Sequence, residues 1–333
     1  MTALAFDSER LHQQVQRLTP EILRMPAVPA DKNYAAEHGD AVLNYFQYYG
    51  LDFERFIDGV GHHFGHFASG KYEIVCHYYT VKQAQGTCFL FHGYFDHAGL
   101  FRHLIEYCLR RQLNVVIYDL PGHGLSTGER ATIGSFIEYE TVLKDCLKLF
   151  VDVAPTPWHA MAQSTGAAVV MDYLLLQEAP TFEKVVLLAP LVRAAEWTWV
   201  KAAHFVGHYF IDNVPRRFGR NSGDAAFLNF VEHEDPLQTK EIPVAWVDAL
   251  IRWERRFDSL PVSERAPLIV QGQRDTTVDW KYNINAIRTK FPRAKYLPLQ
   301  DGSHHLANET PAIRSKIMSA MDLYFQIAKE NGE

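Results

Sequence analysis

The sequence has few cysteines, no dense basic block and no long apolar run, and each lack removes a class of function. The four cysteines among 333 residues, Cys76, Cys88, Cys108 and Cys146, form no CxxC pair and have no histidine at finger spacing. A disulfide framework or a zinc finger is therefore not expected, and free thiols in a reducing compartment are the simpler reading. No stretch approaches the ~18 to 20 uninterrupted apolar residues that a spanning helix requires. A cytoplasmic location follows as an expectation, with any membrane contact confined to the protein surface. Lysine and arginine total 33 against 39 aspartates and glutamates, a net charge of -6. No run concentrates the basic residues, so there is no electrostatic footprint for nucleic acid. The opening residues, "MTALAFDSERLHQQVQRL", are acidic and polar where a secretory signal has a basic start and an apolar run, and export by that route is not expected. Internal repeats and low-complexity tracts are also missing.

What is present belongs to a folded chain. Apolar residues make up 47%, charged residues 22% and aromatics 13%, which suits a globular protein with a sizeable core. From residue 72 onward, short runs such as "YEIVCHYY", "GTCFLFHG", "WHAMAQS", "KVVLLAP" and "PLIVQG" alternate with longer helical patterns. That alternation predicts an α/β fold with a mainly parallel central sheet flanked by helices. Two regions depart from it. Residues 1–70 hold a polar helical pattern, then an aromatic-rich stretch, and are expected to form an N-terminal extension. Residues 191–260 contain helical patterns and no evident strand, so an all-helical cap is expected there, leaving 71–190 and 261–333 as the core. The stretch "GHHFGHF" groups His62, His63 and His66, but a structural zinc site wants four ligands and no clear fourth is supplied. No metal is expected.

In an open α/β sheet, ligands bind beyond the carboxyl ends of the strands. The residues that follow each strand run are chemically loaded: "HGYFDH", "STG", "RDTTVD" and "DGSHH". In chain order they supply serine, aspartate and histidine. A serine hydroxyl is a poor nucleophile at its free pKa and needs a base within hydrogen-bond reach, a role that neutral imidazole fills near pH 7. The imidazole needs a carboxylate to set its tautomer. Ser164 could instead cap the helix predicted from Thr165. An A-x-S-x-G match is expected by chance in about one chain in ten, so the order of its partners carries more weight than the motif.

The segment "AQSTG" resembles the G-x-S-x-G nucleophile elbow of the α/β-hydrolase fold, with Ala162 at the first glycine. "YDLPGHGLSTGER" resembles the D-x-x-G-H-G-x-S-x-G-x-R segment of the monoacylglycerol lipase and lysophospholipase group, and "NSGDAAFLNFVEHEDPLQ" is similar to its cap. The resemblance spans roughly residues 72–333 and implies a serine hydrolase of carboxylic esters that needs no cofactor. By it, Ser164 is the nucleophile, Asp275 the acid and His305 the base. The backbone N–H groups of Tyr94 and Thr165 become the oxyanion donors, while His92 and His123 hold loops. His305 is preferred to the adjacent His304 as the third residue after Gly302, and Asp275 to Asp279 because it directly follows a strand run. Trp197, Trp199 and Phe205 in the cap are candidates for acyl or lipid contact. A small-molecule or lipid ester is the expected substrate. A short-chain esterase, thioesterase or lactonase is the alternative enzyme, and a non-catalytic ligand-binding relative the alternative of another class.

Overall fold

A computed structural model describes residues 40–177, 181–208 and 210–326. The polar helical pattern expected near the start, and the last residues of the C-terminal pattern, lie outside the described residues. In chain order the elements are α1 (Asp40–Tyr49), β1 (Gly61–Ser69), β2 (Tyr72–Thr80), β3 (Thr87–Phe91), α2 (Arg102–Leu109), β4 (Asn114–Tyr118), α3 (Phe136–Phe150), β5 (Trp158–Gln163), α4 (Thr165–Leu176) and β6 (Lys184–Leu188). Then come α5 (Trp197–Gly207), β7 (Asn213–Pro215), α6 (Ala225–Asn229), β8 (Glu241–Pro243) and α7 (Val244–Ser259). The chain returns through β9 (Leu268–Gly272), α8 (Trp280–Lys290), β10 (Lys295–Leu299) and α9 (Pro311–Phe325).

Eight strands form one sheet in the order β1-β2-β4-β3-β5-β6-β9-β10. Only the β1–β2 and β2–β4 pairs are antiparallel; every other pairing is parallel. Side chains alternate across β5 as strand geometry requires. Ala160 and Ala162 pack into one apolar layer with α3, α4 and α7, while Met161 enters the other with α1, α2 and α9. Both faces are covered, so the central strands are buried throughout and read as continuous apolar runs.

The sheet begins at Gly61, not at residue 71, so the expected boundary of the N-terminal extension cuts across β1. The "GHHFGHF" run is a strand in which His62 and His63 pack as aromatic rings: His62 stacks on Tyr79 at 4.0 Å and lies 4.4 Å from Phe46 of α1, and His63 stacks on Tyr78 at 5.7 Å. Their polarity hid the strand, because both faces of β1 are largely buried and no apolar alternation is needed.

The segment between β6 and β9 is held over the sheet by α7, whose Trp246, Trp253 and Phe257 are buried in the layer that contains α3 and α4. The Trp253 ring lies parallel to Phe136 at 5.4 Å, and Arg256 pairs with Asp172 of α4 at 2.9 Å. This segment is not all helical, contrary to expectation: β7 and β8 form a short antiparallel ladder from Asn213↔Pro243 to Pro215↔Glu241. Three-residue strands carry too little periodicity to stand out in a sequence.

Candidate active site

Ser164 occupies the junction of β5 and α4 with φ 52° and ψ −112°, a left-handed conformation that costs a non-glycine residue roughly 1–3 kcal/mol and persists only where the surroundings enforce it. Here its N–H donates to Leu188 O at 2.9 Å, and its carbonyl accepts from Leu191 N at 3.2 Å and from Ala168 N at 3.1 Å. Its side chain makes no capping bond to α4, so the helix-cap reading fails. Gly166 follows because a Cβ there would meet Phe91 O at 2.4 Å and His92 O at 2.6 Å; only a bare backbone lets α4 start against the end of β3. Ala162, at the first glycine position of the elbow motif, is buried in β5, and the turn forms with its methyl inside the core.

The histidine facing Ser164 is His304. Its Nε2 lies 3.0 Å from Ser164 Oγ and its Nδ1 lies 2.7 Å from Asp275 Oδ2. With Nδ1 protonated towards the carboxylate, Nε2 is left to accept the serine proton. The expectation of His305 at this place is corrected: its Nε2 bonds Asp96 Oδ1 at 2.9 Å. Neighbouring side chains diverge, and the direction of each is set by the backbone. The His305 N–H donates to Asn221 O at 2.7 Å and the residue opens a short 3₁₀ turn, Leu306–Asn308, which rotates His305 away from the serine. Spacing from Gly302 carries no information about that rotation.

Asp275 stands after β9, as expected from its position. Its carboxylate accepts from Thr277 N at 2.8 Å, Val278 N at 3.2 Å and Gln271 Nε2 at 3.0 Å, besides His304. Burial pushes its pKa up, but the His304 ring and these donors outweigh it and hold the carboxyl below its ordinary value. The same pairing acts on His304: burial alone would lower its pKa, and the nearby carboxylates, Asp275 first and Asp96 after it, raise it. Asp279 is not in the row. It caps α8 through Tyr282 N and pairs with Arg193 at 2.7 Å.

Ser164, Thr165, Tyr94 and His304 open into one cavity of about 680 Å³, a size typical of small-molecule sites. One side of it is apolar, with Val200 from α5 and Trp246, Val247 and Leu250 from α7. The Tyr94 ring stacks on Trp246 at 3.6 Å and its hydroxyl donates to Ala131 O at 2.8 Å, which anchors the turn after β3. Trp197, Trp199 and Phe205 do not line the cavity. Trp197 is buried in the apolar layer that holds α3, α4 and α7, whereas Trp199 and Phe205 are 77% and 76% exposed; aromatic spacing marked a helix and not the side it turns to the ligand. Trp246 escaped notice among the core-like tryptophans of α7.

Asp96 was also passed over, although it stands in the same "HGYFDH" run as Tyr94. Besides His305 it accepts from Gly93 N at 3.1 Å, and Gln163 Nε2 approaches it at 3.5 Å. Gln163 Oε1 in turn accepts from Ala307 N at 2.9 Å. One carboxylate thus ties the turn after β3, the residue before Ser164 and the histidine loop. Burial would raise its pKa, but the His305 ring overrides that and keeps the carboxyl ionised. His92 donates from Nδ1 to Gly93 O at 2.8 Å and accepts from Leu120 N at 2.8 Å, and His123 bonds Pro121 O at 2.9 Å. Burial pushes the pKa of His92 down to about 3 and that of His123 to about 4, so both rings are neutral braces for the loops.

Geometrically, the row Asp275–His304–Ser164 can pass a proton from the hydroxyl to an oriented imidazole while the oxygen attacks a carbonyl in the cavity. Comparison with known proteins agrees in kind. The chain is 26% identical over 268 residues to the monoglyceride lipase of Mus musculus, which covers 75% of this chain and 86% of the relative. The Homo sapiens monoglyceride lipase is 25% identical over 275 residues, covering 77% and 88%. Among solved structures, a soluble variant of monoglyceride lipase from Saccharomyces cerevisiae, in complex with a substrate analogue, superposes with a TM-score of 0.68. It has 14% identity and covers 79% of this chain and 94% of that one, a likeness of fold alone. The profile of the family described as serine aminopeptidase, S33 (Hydrolase_4) matches residues 82–311, a span that takes in the turn at Ser164, the segment between β6 and β9 and the histidine loop: the chain is an α/β-hydrolase and belongs to this family.

Proposed function

We propose that the protein is a serine hydrolase of carboxylic esters of the monoacylglycerol type, with Ser164, His304 and Asp275 as its catalytic residues. The observation that carries this reading is the hydrogen-bonded row in which His304 joins Ser164 Oγ at 3.0 Å to Asp275 at 2.7 Å. Ser164 Oγ attacks the ester carbonyl as His304 Nε2 takes its proton. The N–H groups of Tyr94 and Thr165 hold the oxyanion, each donor worth about 2.7 to 4 kcal/mol by analogy with other acyl-transfer sites. His304 gives the proton to the departing alcohol, then removes one from a water that attacks the acyl-enzyme, and the acid leaves with Ser164 restored. The apolar wall from α5 and α7 would receive the acyl chain, with residues 191–260 acting as a cap over the entrance.

Among the described residues, no helix is long and apolar enough to cross a membrane. The exposed apolar side chains of the cap, Trp199, Phe205, Val206 and Phe210, support peripheral contact with a lipid surface. A cytoplasmic setting is supported by the four cysteines, all free and buried. A fluorophosphonate probe tests the core of the reading: the native protein should be labelled and Ser164→Ala should not, and equal labelling of both would sink it.

A further inference from the structure

The cavity above Ser164 has a cationic side that ester hydrolysis does not use. Arg216, Arg217 and Arg220 all line it, and all come from one short cap segment between β7 and α6. Arg216 is largely enclosed, its guanidinium carbon 4.0 Å above the Phe95 ring and 4.4 Å from Phe218. Its hydrogen bonds go to neutral oxygens, Gln238 Oε1 at 2.7 Å and Thr239 O at 3.2 Å. Burial pushes its pKa down to about 10, still charged at neutral pH. Among the described residues no carboxylate lies within ion-pair distance of Arg216, Arg217 or Arg220. Two carboxylates line the same cavity: Asp96 is engaged with His305, and Glu232 lies 3.9 Å from His233.

Arg216 is partly buried and Arg217 and Arg220 are exposed, so in a chain with a net charge of -6 three guanidiniums without an ion pair give this side of the cavity a local positive field that an anionic ligand would complement. The guanidinium fork matches phosphate oxygens bidentately, and a phosphate monoester brings about −1.5 to −2 charges and three acceptor oxygens. We propose that the preferred substrate is an acylglycerol whose alcohol part bears a phosphate monoester, bound by Arg217 and Arg220 at the mouth with Arg216 behind them. This rests on the serine-hydrolase reading and narrows its substrate. Ser164 takes the acyl group, the glycerol oxygen leaves with the proton from His304, and water completes hydrolysis to the fatty acid and glycerol phosphate. The phosphate itself is untouched.

The test is a matched pair of substrates, 1-lauroylglycerol and 1-lauroylglycerol 3-phosphate, assayed below their micellar concentrations with the full chain. We expect kcat/KM to favour the phosphate ester by about tenfold or more, and the ratio to shrink as salt is raised. The double variant Arg217→Gln/Arg220→Gln should bring the ratio close to one, and Arg217→Lys/Arg220→Lys should restore part of it. Fluorophosphonate labelling of Ser164 in each variant shows that the site is intact; if the glutamine pair misfolds, the native ratio and its salt dependence decide. A native preference for the neutral ester, a ratio unmoved by the glutamine pair, or labelling without turnover of the phosphate ester would overturn the proposal. Absence of both labelling and turnover would instead overturn the hydrolase reading beneath it.

Discussion

At the residue scale, the two adjacent histidines divide the work. His304 faces Ser164 and Asp275, while His305 holds Asp96. Removing a catalytic base typically leaves only the ~10³ to 10⁴-fold acceleration over water that binding and the oxyanion donors supply. We therefore expect His304→Ala to lower kcat by about 10³-fold or more and His305→Ala to lower it far less, a difference that steady-state ester kinetics would read directly. An equal loss in both would contradict the row. The pH profile follows from the raised pKa of His304. The base must be neutral to work, so activity should fall as pH drops through that pKa, giving an acid limb centred above the ordinary histidine value of about 6.5. Asp275→Asn removes the leading charge that raises it and should move the limb of any residual activity to lower pH. A limb that stays in place would show that Asp275 does not set it.

At the element scale, the nucleophile turn depends on how close α4 comes to β3. Gly166 has no room for a methyl between Phe91 O and His92 O, and both obstacles are backbone. Gly166→Ala should thus force strand and helix apart and cost about 1 to 3 kcal/mol of stability, measurable as a lowered midpoint in urea. Activity should fall more than stability does, since the same shift displaces Ser164. Ala162→Gly, by contrast, removes a methyl from a strand buried on both faces and should destabilise the protein without improving the turn. The strands and helices of the core were legible because their apolar runs and turn residues are local signals. The β7–β8 ladder and β1 were not, the first being three residues per strand and the second carrying histidines in place of aliphatic side chains.

At the scale of the whole molecule, the cap separates two apolar features that look alike in sequence. Trp246 turns inward onto Tyr94 at 3.6 Å, whereas Trp199, Phe205 and Phe210 are 77%, 76% and 84% exposed. If the outer group meets lipid, Trp199→Ser/Phe205→Ser should reduce co-flotation with phosphatidylcholine vesicles while leaving hydrolysis of a water-soluble nitrophenyl ester essentially unchanged. Loss of soluble-ester activity together with vesicle binding would point to a collapsed cap.

The sequence alone determined the α/β alternation, the serine at a small-residue turn and the aspartate directly after β9, because these rest on local composition and chain order. Tertiary structure alone decided which of two neighbouring histidines faces Ser164, which cap tryptophan lines the cavity, and that three arginines gather beside it. Each of these depends on the direction in which a side chain leaves the backbone, and that direction is set by contacts with residues far away in the chain.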